Sequence, residues 1–327
     1  MRITNDELET LKSISLTNDV KLRKVKRDYK KNKKKYKLDI NDYRKCNYIN
    51  LSEDVKDDFL TKDKYNKLIR YLNNDSYSKA LENKNMFYQL FDKYIGRNYI
   101  DLRISSFTEF KKFVENKNSV IAKRIVTCDG EGINRIIVKG NNSLKSTYKY
   151  LLKNKQFIIE EELSQANILN KINPYTLNVV RFTTLLKDGR VYIIGSSLIT
   201  NNGDEDIITS NNIVMDLDEK GNIIGNGVSK DGKVYTKHPR TKVKFAGQVI
   251  PNMKRAMKIV SIASRQVPEV RFIGWDIAIE EHKVVLIGCN TKPNYGYHQD
   301  YLLGNMTNPG LYHSIKAILG KEIDNIK

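Results

Sequence analysis

Cysteine is scarce in this sequence, and its placement excludes two common kinds of site. The three cysteines, Cys46, Cys128 and Cys289, are odd in number and share neither a CxxC motif nor the Cys/His spacing of a zinc site. We therefore expect reduced thiols rather than a disulfide framework or a zinc centre. A Ser-His-Asp or Cys-His arrangement is not evident either, so the sequence does not support hydrolysis by a protein nucleophile.

Long apolar runs are also missing. The longest, such as residues 191–194 and 284–287, fall far short of the roughly 20 residues that are needed to span a bilayer. The first ten residues are polar and contain no apolar segment of the kind found in signal peptides. We therefore expect a cytoplasmic protein.

The sequence has no recognisable nucleic-acid-binding motif, although its net charge is +19. RNP, KH, zinc-finger and helix-turn-helix patterns are all missing. Much of the charge lies in one segment, because residues 21–37 contain eleven Lys or Arg residues and one Asp. Charge alone therefore does not indicate nucleic acid as the main partner.

The basic segment has the periodicity of a helix with a narrow apolar stripe. Its apolar residues recur at helical spacings and are Leu22, Val25, Tyr29 and Tyr36. Three interpretations remain open: a solvated helix packed on the protein core, a helix that contacts anionic lipid headgroups, and a helix that binds RNA or DNA. The second would place residues 21–37 at the inner face of a membrane, as a peripheral contact.

The chain of 327 residues is long enough for two domains. Glycine is absent before Gly96, and the apolar periodicity of residues 57–73 favours a helical region over a Rossmann-like start. We predict an α+β protein with four parts, which are a helical, basic region over 1–80, linker helices over 81–117, a small α+β lid over 118–163 and a larger antiparallel-sheet domain over 164–327.

Local patterns support this division. Lys187-Asp188-Gly189 separates two alternating apolar runs, 178–186 and 190–199, which is a strong signal for an antiparallel hairpin. The helices that we predict cover 107–115 in the linker, 143–153 in the lid, and 251–266 and 311–319 in the larger domain. The strands that we predict in the lid cover 120–126, 134–138 and 156–161.

Two apolar runs near the C-terminus end in oxygen-bearing side chains. Asp276 lies on the first run, a polar turn follows, and Asn290 closes the second run. A carboxylate and an amide at the same end of two adjacent strands are hard oxygen ligands, which Mg²⁺ shares with phosphates. The sequence therefore predicts a magnesium-nucleotide site with Asp276 and Asn290 as metal ligands.

Lys123 lies in the middle of a predicted strand, where burying a lysine is costly unless an anion meets it. A phosphate would supply that anion. Gly130 and Gly132 follow in a turn that is either an ordinary turn or a phosphate loop, because glycine backbone can approach phosphate oxygens closely. Arg181, inside an apolar strand, likewise needs either a structural ion pair or a phosphate.

Three consecutive carboxylates lie at the end of the predicted strand 156–161 and directly after it. They are Glu160, Glu161 and Glu162. They form either a solvated strand end or a segment that holds a ribose hydroxyl and presents backbone groups to an adenine edge.

Seven motifs, taken in order, resemble the sugar-transfer-associated ATP-grasp proteins. These proteins are related to carboxylate-amine ligases and accompany enzymes that build polysaccharides. The motifs are NKNMFYQLF (83–91), VIAKRIVTCDGEGI (120–133), FIIEEEL (157–163), LNVVRFTTLLKDGRV (177–191), HPRTKVKFAG (238–247), IP (250–251) and FIGWDIAIEEHKVVLIGCN (272–290). The resemblance leaves out the N-terminal quarter, and it implies an ATP-grasp fold that holds the nucleotide between the lid and the larger domain.

The resemblance also implies roles for individual residues. Those that would contact ATP are Lys84, Lys123, Gly130, Gly132, Glu160, Glu161, Glu162 and Leu163. Those that would act at the reacting phosphate are Arg181, Arg271, Asp276 and Asn290, the last two as Mg²⁺ ligands. Those that would lie near the substrate are Asn178 and His238. The implied reaction turns a carboxylate into an acyl phosphate, from which an amino acid or amino sugar displaces phosphate to form an amide.

Two positions depart from the family pattern. Gly288 stands where the family usually has the glutamate of Leu-Ile-Glu-Gly-Asn, and residues 197–200 lack an arginine often found there. The missing carboxylate implies one metal instead of two, a substitute such as Asp216 or Glu280, or an ATP-binding relative with little ligase activity. A phosphotransferase that acts on a sugar or related small molecule is a further alternative.

Overall fold

The computed structural model describes residues 3–126, 132–140, 143–203, 212–296, 298–300, 302 and 310–326. Two residues singled out above, Cys128 and Gly130, lie outside these ranges. The helices are α1 (Asn5–Thr17), α2 (Leu22–Tyr36), α3 (Ile40–Lys45), α4 (Lys62–Leu72), α5 (Asp75–Glu82), α6 (Lys84–Ile95), α7 (Phe107–Val114), α8 (Leu144–Lys153), α9 (Asn167–Ile172), α10 (Met253–Gln266) and α11 (Leu311–Leu319). The strands are β1 (Tyr99–Asp101), β2 (Ser119–Lys123), β3 (Ile133–Ile137), β4 (Ile158–Glu161), β5 (Val179–Lys187), β6 (Arg190–Thr200), β7 (Ile213–Leu217), β8 (Ile223–Ser229), β9 (Val234–Tyr235), β10 (Phe272–Ile279) and β11 (Val284–Asn290).

The strands of the described ranges form two antiparallel sheets. The small sheet has the order β1-β4-β2-β3, and the large sheet has the order β11-β10-β5-β6-β7-β8-β9. This arrangement confirms the predicted α+β class, with a small unit followed by a larger antiparallel sheet. Phe110 of α7 packs with residues of the small sheet, and β1 pairs with β4. We therefore propose that the small unit begins before residue 118.

The hairpin between β5 and β6 sets the register of the large sheet. Asp188 and Gly189 have φ angles of 49° and 73°, the two positive values that a type I′ turn requires. This confirms the hairpin predicted from Asp188-Gly189. The register set by the turn extends to Thr184, where an irregularity shifts it by one residue, so that Arg181 on β5 lies opposite Ser197 on β6.

One face of the large sheet packs on α6 and α10. Trp275 is fully buried, with its ring edge-on to Phe91 at 5.4 Å between centroids. Its Nε1 donates to Thr184 Oγ1 at 3.0 Å and to Ser264 Oγ at 2.9 Å. These contacts fix β10, and successive strand residues point to opposite faces. Asp276, the next residue, is therefore held on the other face.

The basic helix α2 packs its apolar stripe into the core of the N-terminal region. Val25, Tyr29 and Tyr36 are buried, and Tyr29 Oη donates to Glu7 Oε1 on α1 at 2.6 Å. The apolar stripe is thus placed as expected for a solvated helix that packs on the protein core. The opposite face exposes Lys21, Arg23, Lys24, Arg27, Lys30, Lys34 and Lys37. No helix in the described part of the chain is long and apolar enough to cross a bilayer.

Candidate functional site

A cavity of about 1100 Å³ separates the small sheet from the polar face of the large sheet. The predicted site residues that line it are Lys84, Lys123, Glu160, Glu161, Glu162, Leu163, Arg181, Asp276 and Asn290. Residues from distant parts of the sequence therefore meet at one cavity. The described residues that we predicted for the site but that do not line this cavity are Gly132, Asn178, His238 and Arg271.

A row of directly opposed residues crosses the polar face of the large sheet. It runs from β11 to β7 and consists of Gly288, Asp276, Arg181, Ser197 and Asp216. Directly opposed residues on adjacent strands present their side chains on the same face. The sheet register therefore brings a carboxylate, a guanidinium and an open glycine position together at the cavity.

Arg181 and Asp276 form a two-pronged ion pair in this row. Arg181 Nε donates to Asp276 Oδ1 at 2.6 Å, and Nη2 donates to Oδ2 at 2.9 Å. The side chains retain 16% and 20% of their accessible surface, so solvent or a ligand can reach both. Arg181 thus forms the ion pair that was one of its two predicted kinds of contact. Because this pair borders the cavity, a bound phosphate could also reach Arg181.

Gly288 leaves an open space between Asp276 and Lys84. A Cβ built on Gly288 would lie 3.8 Å from Asp276 Oδ2 and 3.9 Å from Lys84 Nζ, which are ordinary contact distances. Asn290, two residues further along β11, lies opposite Gly274, and its Oδ1 accepts from Lys292 N at 2.9 Å. A side chain at position 288 would therefore point between the two predicted ligand positions and the lysine.

The donor set at this end of the cavity fits one Mg²⁺ that is shared with a nucleotide. Mg²⁺ is commonly bound through one or two carboxylates together with phosphates and water. Asp276 supplies one carboxylate and Asn290 supplies an amide oxygen. Among the described residues, no group of three or more His, Cys, Asp or Glu side chains could hold a metal ion. Phosphate and water oxygens would therefore have to complete the coordination.

Neither substitute proposed for the missing glutamate lies near the gap. Asp216 is three strands away from Asp276 in the row, roughly 14 Å at the usual strand spacing. Glu280 follows the end of β10, four residues from Asp276, or roughly 13 Å along an extended chain. The sheet geometry therefore excludes both from a site centred on Asp276.

Asp216 instead belongs to a buried polar cluster with Ser197 and His298. His298 Nδ1 lies 3.1 Å from Asp216 Oδ1 and 3.3 Å from Ser197 Oγ, and the serine donates to the same carboxylate at 3.2 Å. In a catalytic triad the serine and the carboxylate contact opposite nitrogens of the ring. Here both contact Nδ1, so the cluster does not have the geometry of a hydrolytic triad.

A buried ionic cluster underlies the lid side of the cavity. Glu160 is 2% exposed and accepts from Arg97 Nε at 2.7 Å, from Lys123 Nζ at 2.8 Å and from Tyr88 Oη. The anion that Lys123 requires is therefore this carboxylate in the protein alone. Burial raises the pKa of Glu160, and burial together with Arg97 and Lys84 lowers the pKa of Lys123 well below its usual range.

The other two glutamates at the exit of β4 also have protein partners. Glu161 pairs with Lys117 at 3.2 Å, and Glu162 pairs with Arg135 at 2.8 Å. Both residues line the cavity, although the backbone N–H of Glu161 already donates to Asn98 O at 3.1 Å. The segment Glu160–Leu163 thus borders the cavity, as a segment that contacts a nucleotide would.

Arg271 lies outside the cavity wall, although we predicted it at the reacting phosphate. Its Nη1 bonds Glu322 Oε1 at 2.5 Å and its Nε donates to Leu186 O at 2.9 Å. Lys187 binds the same carboxylate at 2.9 Å. This ion pair ties the start of β10 to the segment after α11, and we propose that Arg271 has a structural role.

Asn178 and His238 are also withdrawn from the cavity. Asn178 is fully buried, and its Nδ2 donates to the carbonyls of Leu169 and Asn173. It precedes Arg181 by three residues on an extended chain, an odd spacing that places the two side chains on opposite faces. His238 is fully buried, and its Nε2 lies 2.8 Å from Asn201 O. Both side chains are buried and bonded within the protein, so we propose that they support loops beside the site rather than contact substrate.

Sequence reasoning missed several basic residues of the cavity wall. They are Lys45, Arg97, Arg135, Lys230 and Lys292. Lys292 follows the predicted ligand Asn290 by two positions, and that proximity was the one available signal. The other four have no local pattern that indicates a place in the cavity wall.

The ion pair of Arg271 makes a pH-dependent contribution to stability. Hydrogen bonds from Arg271 lower the pKa of Glu322 from 4.5 to about 2, despite the opposing effect of burial. A carboxyl with a depressed pKa stabilises the folded state above its unfolded pKa of 4.5 and loses this contribution as the pH falls towards 2. We expect Glu322→Gln to cost about 1–3 kcal/mol at neutral pH and progressively less below pH 4.5.

Thermal unfolding of wild type and Glu322→Gln over this pH range measures the effect. Nucleotide affinity at neutral pH should be the same for both proteins and for Arg271→Met. Loss of nucleotide binding in either variant, if the variant still folds, would show that Arg271 takes part in the nucleotide site.

Searches against known proteins give one strong match and several weak ones. No curated protein is significantly similar in sequence. Solved structures with a similar fold include N5-carboxyaminoimidazole synthetase from Staphylococcus aureus complexed with ADP, at 12% identity and a TM-score of 0.45 over 74% of this chain and 52% of that one. VanG D-Ala:D-Ser ligase from Enterococcus faecalis has 14% identity and a TM-score of 0.48 over 75% and 63%. The chain thus spans about half the length of the first of these structures.

The family match covers most of the chain. A sequence model of the sugar-transfer associated ATP-grasp proteins matches residues 63–307. The matched region includes both sheets and every predicted site residue. The chain therefore belongs to the sugar-transfer associated ATP-grasp family.

Proposed function

We propose that this protein is an ATP-dependent carboxylate-amine ligase. In the first step, a carboxylate oxygen of the substrate attacks the γ-phosphorus of ATP, the bond to the β-phosphate breaks, and ADP leaves. In the second step, an amine attacks the acyl carbon, a C–N bond forms, and phosphate leaves with the electrons of the C–O bond. The substrates are a small carboxylate and an amino acid or amino sugar.

The observation that carries the proposal is the convergence of lid and large sheet on one cavity. The segment Glu160–Leu163 borders the cavity on the lid side, and Arg181, Asp276 and Asn290 border it on the large-sheet side. Lys84 and Lys123 also line this cavity. A nucleotide bound between the lid and the large sheet would place its adenosine beside Glu160–Leu163 and its negatively charged phosphates beside the cations.

The residues of the chain would bind and orient rather than transfer protons. Lys84 and Arg181 would hold the transferred phosphate and stabilise its charge as the carboxylate attacks. Asp276 and Asn290 would hold one Mg²⁺, which supplies charge neutralisation at the phosphates. Burial raises the pKa of Cys289 to about 12, so this thiol is not a nucleophile at neutral pH.

The biological setting remains part of the proposal. Membership of a sugar-transfer associated family supports a role in building cell-surface polysaccharides or sugar conjugates. The exposed basic face of α2 is consistent with peripheral contact with an anionic membrane at its inner face, where such polymers are assembled.

An ADP-release screen with paired carboxylates and amines tests the function. We expect ADP and phosphate to be released when both the carboxylate and the amine are present, with an amide as the product. A phosphorylated hydroxyl that accumulates stably would identify a phosphotransferase. Nucleotide-dependent thermal stabilisation without turnover for any pair would identify a binding protein with weakened catalysis, which the glycine at position 288 favours.

The Gly288→Glu variant tests the metal site directly. The added carboxylate fits the space between Asp276 and Lys84 and gives Mg²⁺ a second charged ligand. We expect Mg-nucleotide affinity to rise by about tenfold, which corresponds to one charge-assisted contact, and turnover to rise with it. Gly288→Gln, with the same size and no charge, is the matched control. Slower turnover in the glutamate variant than in the wild type would contradict this assignment of the metal site.

A further inference from the structure

The cavity has a second basic region beyond the residues assigned to the nucleotide. Three lysines from separate elements form it, and we call them the distal lysines: Lys45 at the end of α3, Lys230 in the β8–β9 turn and Lys292 in the loop after β11. Arg44 lies behind them, against Gly232 of the β8–β9 turn. Three distant segments thus each bring a lysine to the cavity wall, and the contacts of Arg44 with Gly232 and of Lys45 with Gly296 place α3 beside the other two segments.

The distal lysines differ from most cations of the cavity in their partners. Arg97, Lys123, Arg135 and Arg181 each pair with a carboxylate within 4 Å. Within the described ranges, the distal lysines form no such ion pair. Lys45 interacts with the wall residue Asp300 without forming a salt bridge, and burial raises the pKa of this carboxyl although Lys45 partly opposes that rise. This end therefore keeps an excess of positive charge.

Lys45 is held in place by contacts between α3 and the loop after β11. Its Nζ lies 3.1 Å from the position of a Cβ on Gly296, so the glycine makes room for the lysine. Tyr295 Oη donates to Asp42 Oδ1 at 3.0 Å, and the Tyr295 ring stacks on Tyr65 at 4.7 Å. A positioned lysine loses less conformational entropy when it binds an anion than a free surface lysine does.

The same loop connects the distal lysines to the reacting end of the cavity. It begins directly after Asn290, and Pro293 packs over Gly274, 3.0 Å from the position of a Cβ there. The side chain of Arg181 borders the same spot, with Cδ at 3.7 Å. A substrate whose carboxylate met the γ-phosphate near Arg181 would therefore extend along this loop towards Lys45.

We infer that the distal lysines bind a second anionic group of the carboxylate substrate, and that this group is a carboxylate or a phosphate. The inference rests on the proposed function, because it places the reacting carboxylate at Arg181. Lys45 precedes residue 63, where the family match begins. The N-terminal helical region, which the family pattern does not include, thus supplies a residue that determines substrate specificity.

Calorimetric titration of the full-length protein loaded with MgADP tests the inference. The probes are succinate and glutarate, their singly charged counterparts succinamate and glutaramate, and 3-phosphonopropionate, which carries a carboxylate and a phosphonate. We expect the probes with two anionic groups to bind at least about tenfold more tightly than the monoanions, the effect of one charge-assisted contact. Preference for 3-phosphonopropionate over the dicarboxylates identifies the second group as a phosphate, and the reverse preference identifies a carboxylate.

Two variants connect the preference to the site. Lys45→Gln should remove most of the discrimination between dianion and monoanion, whereas Lys24→Gln, an exposed position on α2, should leave it intact. MgADP affinity and the unfolding temperature should be unchanged in both. Equal binding of dianions and monoanions by the wild type, or equal discrimination in Lys45→Gln, would overturn the inference. Failure of MgADP to bind would instead count against the proposed function.

Discussion

Replacement of Asp276 by asparagine should abolish most of the magnesium dependence of nucleotide binding. The substitution keeps the size of the side chain and removes the carboxylate charge at the predicted ligand position. It also removes the carboxylate charge that Arg181 pairs with, which lowers the cost of moving this guanidinium towards a phosphate. We therefore expect weaker binding of MgADP, and equal or tighter binding of ADP in the presence of a chelator.

The effect on catalysis should be larger than the effect on binding. A metal ion at the phosphates stabilises charge that develops in the transition state, and its loss is worth several kcal/mol. Turnover in the ADP-release assay should fall by at least about 100-fold, since each 1.36 kcal/mol corresponds to a factor of ten. Asp188→Asn, in the exposed β5–β6 turn, is the matched control. An Asp276→Asn protein with wild-type magnesium dependence would show that the metal binds elsewhere.

Replacement of Arg97 by alanine should destabilise the lid strongly. Arg97 and Glu160 are 2% and 3% exposed at their side chains, and the arginine also lies over the Tyr88 ring at 5.8 Å. Removing one partner of a buried ion pair leaves an uncompensated charge, which typically costs about 3–5 kcal/mol. Urea unfolding measures this loss.

Arg103→Ala is the control for this comparison. Arg103 pairs with Asp101, but its side chain is 42% exposed, so its loss should cost at most about 1 kcal/mol. Because Glu160 and Lys123 also line the cavity, Arg97→Ala should weaken nucleotide binding as well. Equal unfolding free energies for the two variants would show that Glu160 is adequately paired by Lys123 alone.

The parts of the fold that follow from local sequence were predictable. The Asp188-Gly189 turn has its chemistry in two adjacent residues. Asp276 and Asn290 could be proposed as a pair of metal ligands because a short turn joins their strands. Each of these predictions depends on residues that are close in the chain.

The residues that were misplaced or missed depend on distant partners. The side chain of Arg271 is turned away from the site by Glu322, which lies 51 residues later. Lys45 reaches the cavity because α3 packs on the loop after β11, and no sequence motif in either segment predicts that contact. The buried partner of Lys123 was correctly expected to be an anion, but a strand position does not reveal whether that anion is a ligand or Glu160.

The contacts between the N-terminal helices and the loop after β11 also determine where the chain can be shortened. Gln299 exchanges hydrogen bonds with the backbone of Leu60, and Tyr295 bonds Asp42, across separations of 239 and 253 residues. A fragment cut to the family boundaries, 63–307, would keep both sheets but leave this loop without its support. Contacts of such long range carry a large loop-closure cost, so we expect them to form late in folding. The support that the N-terminal helices give to this wall of the cavity would then be completed after both sheets have formed.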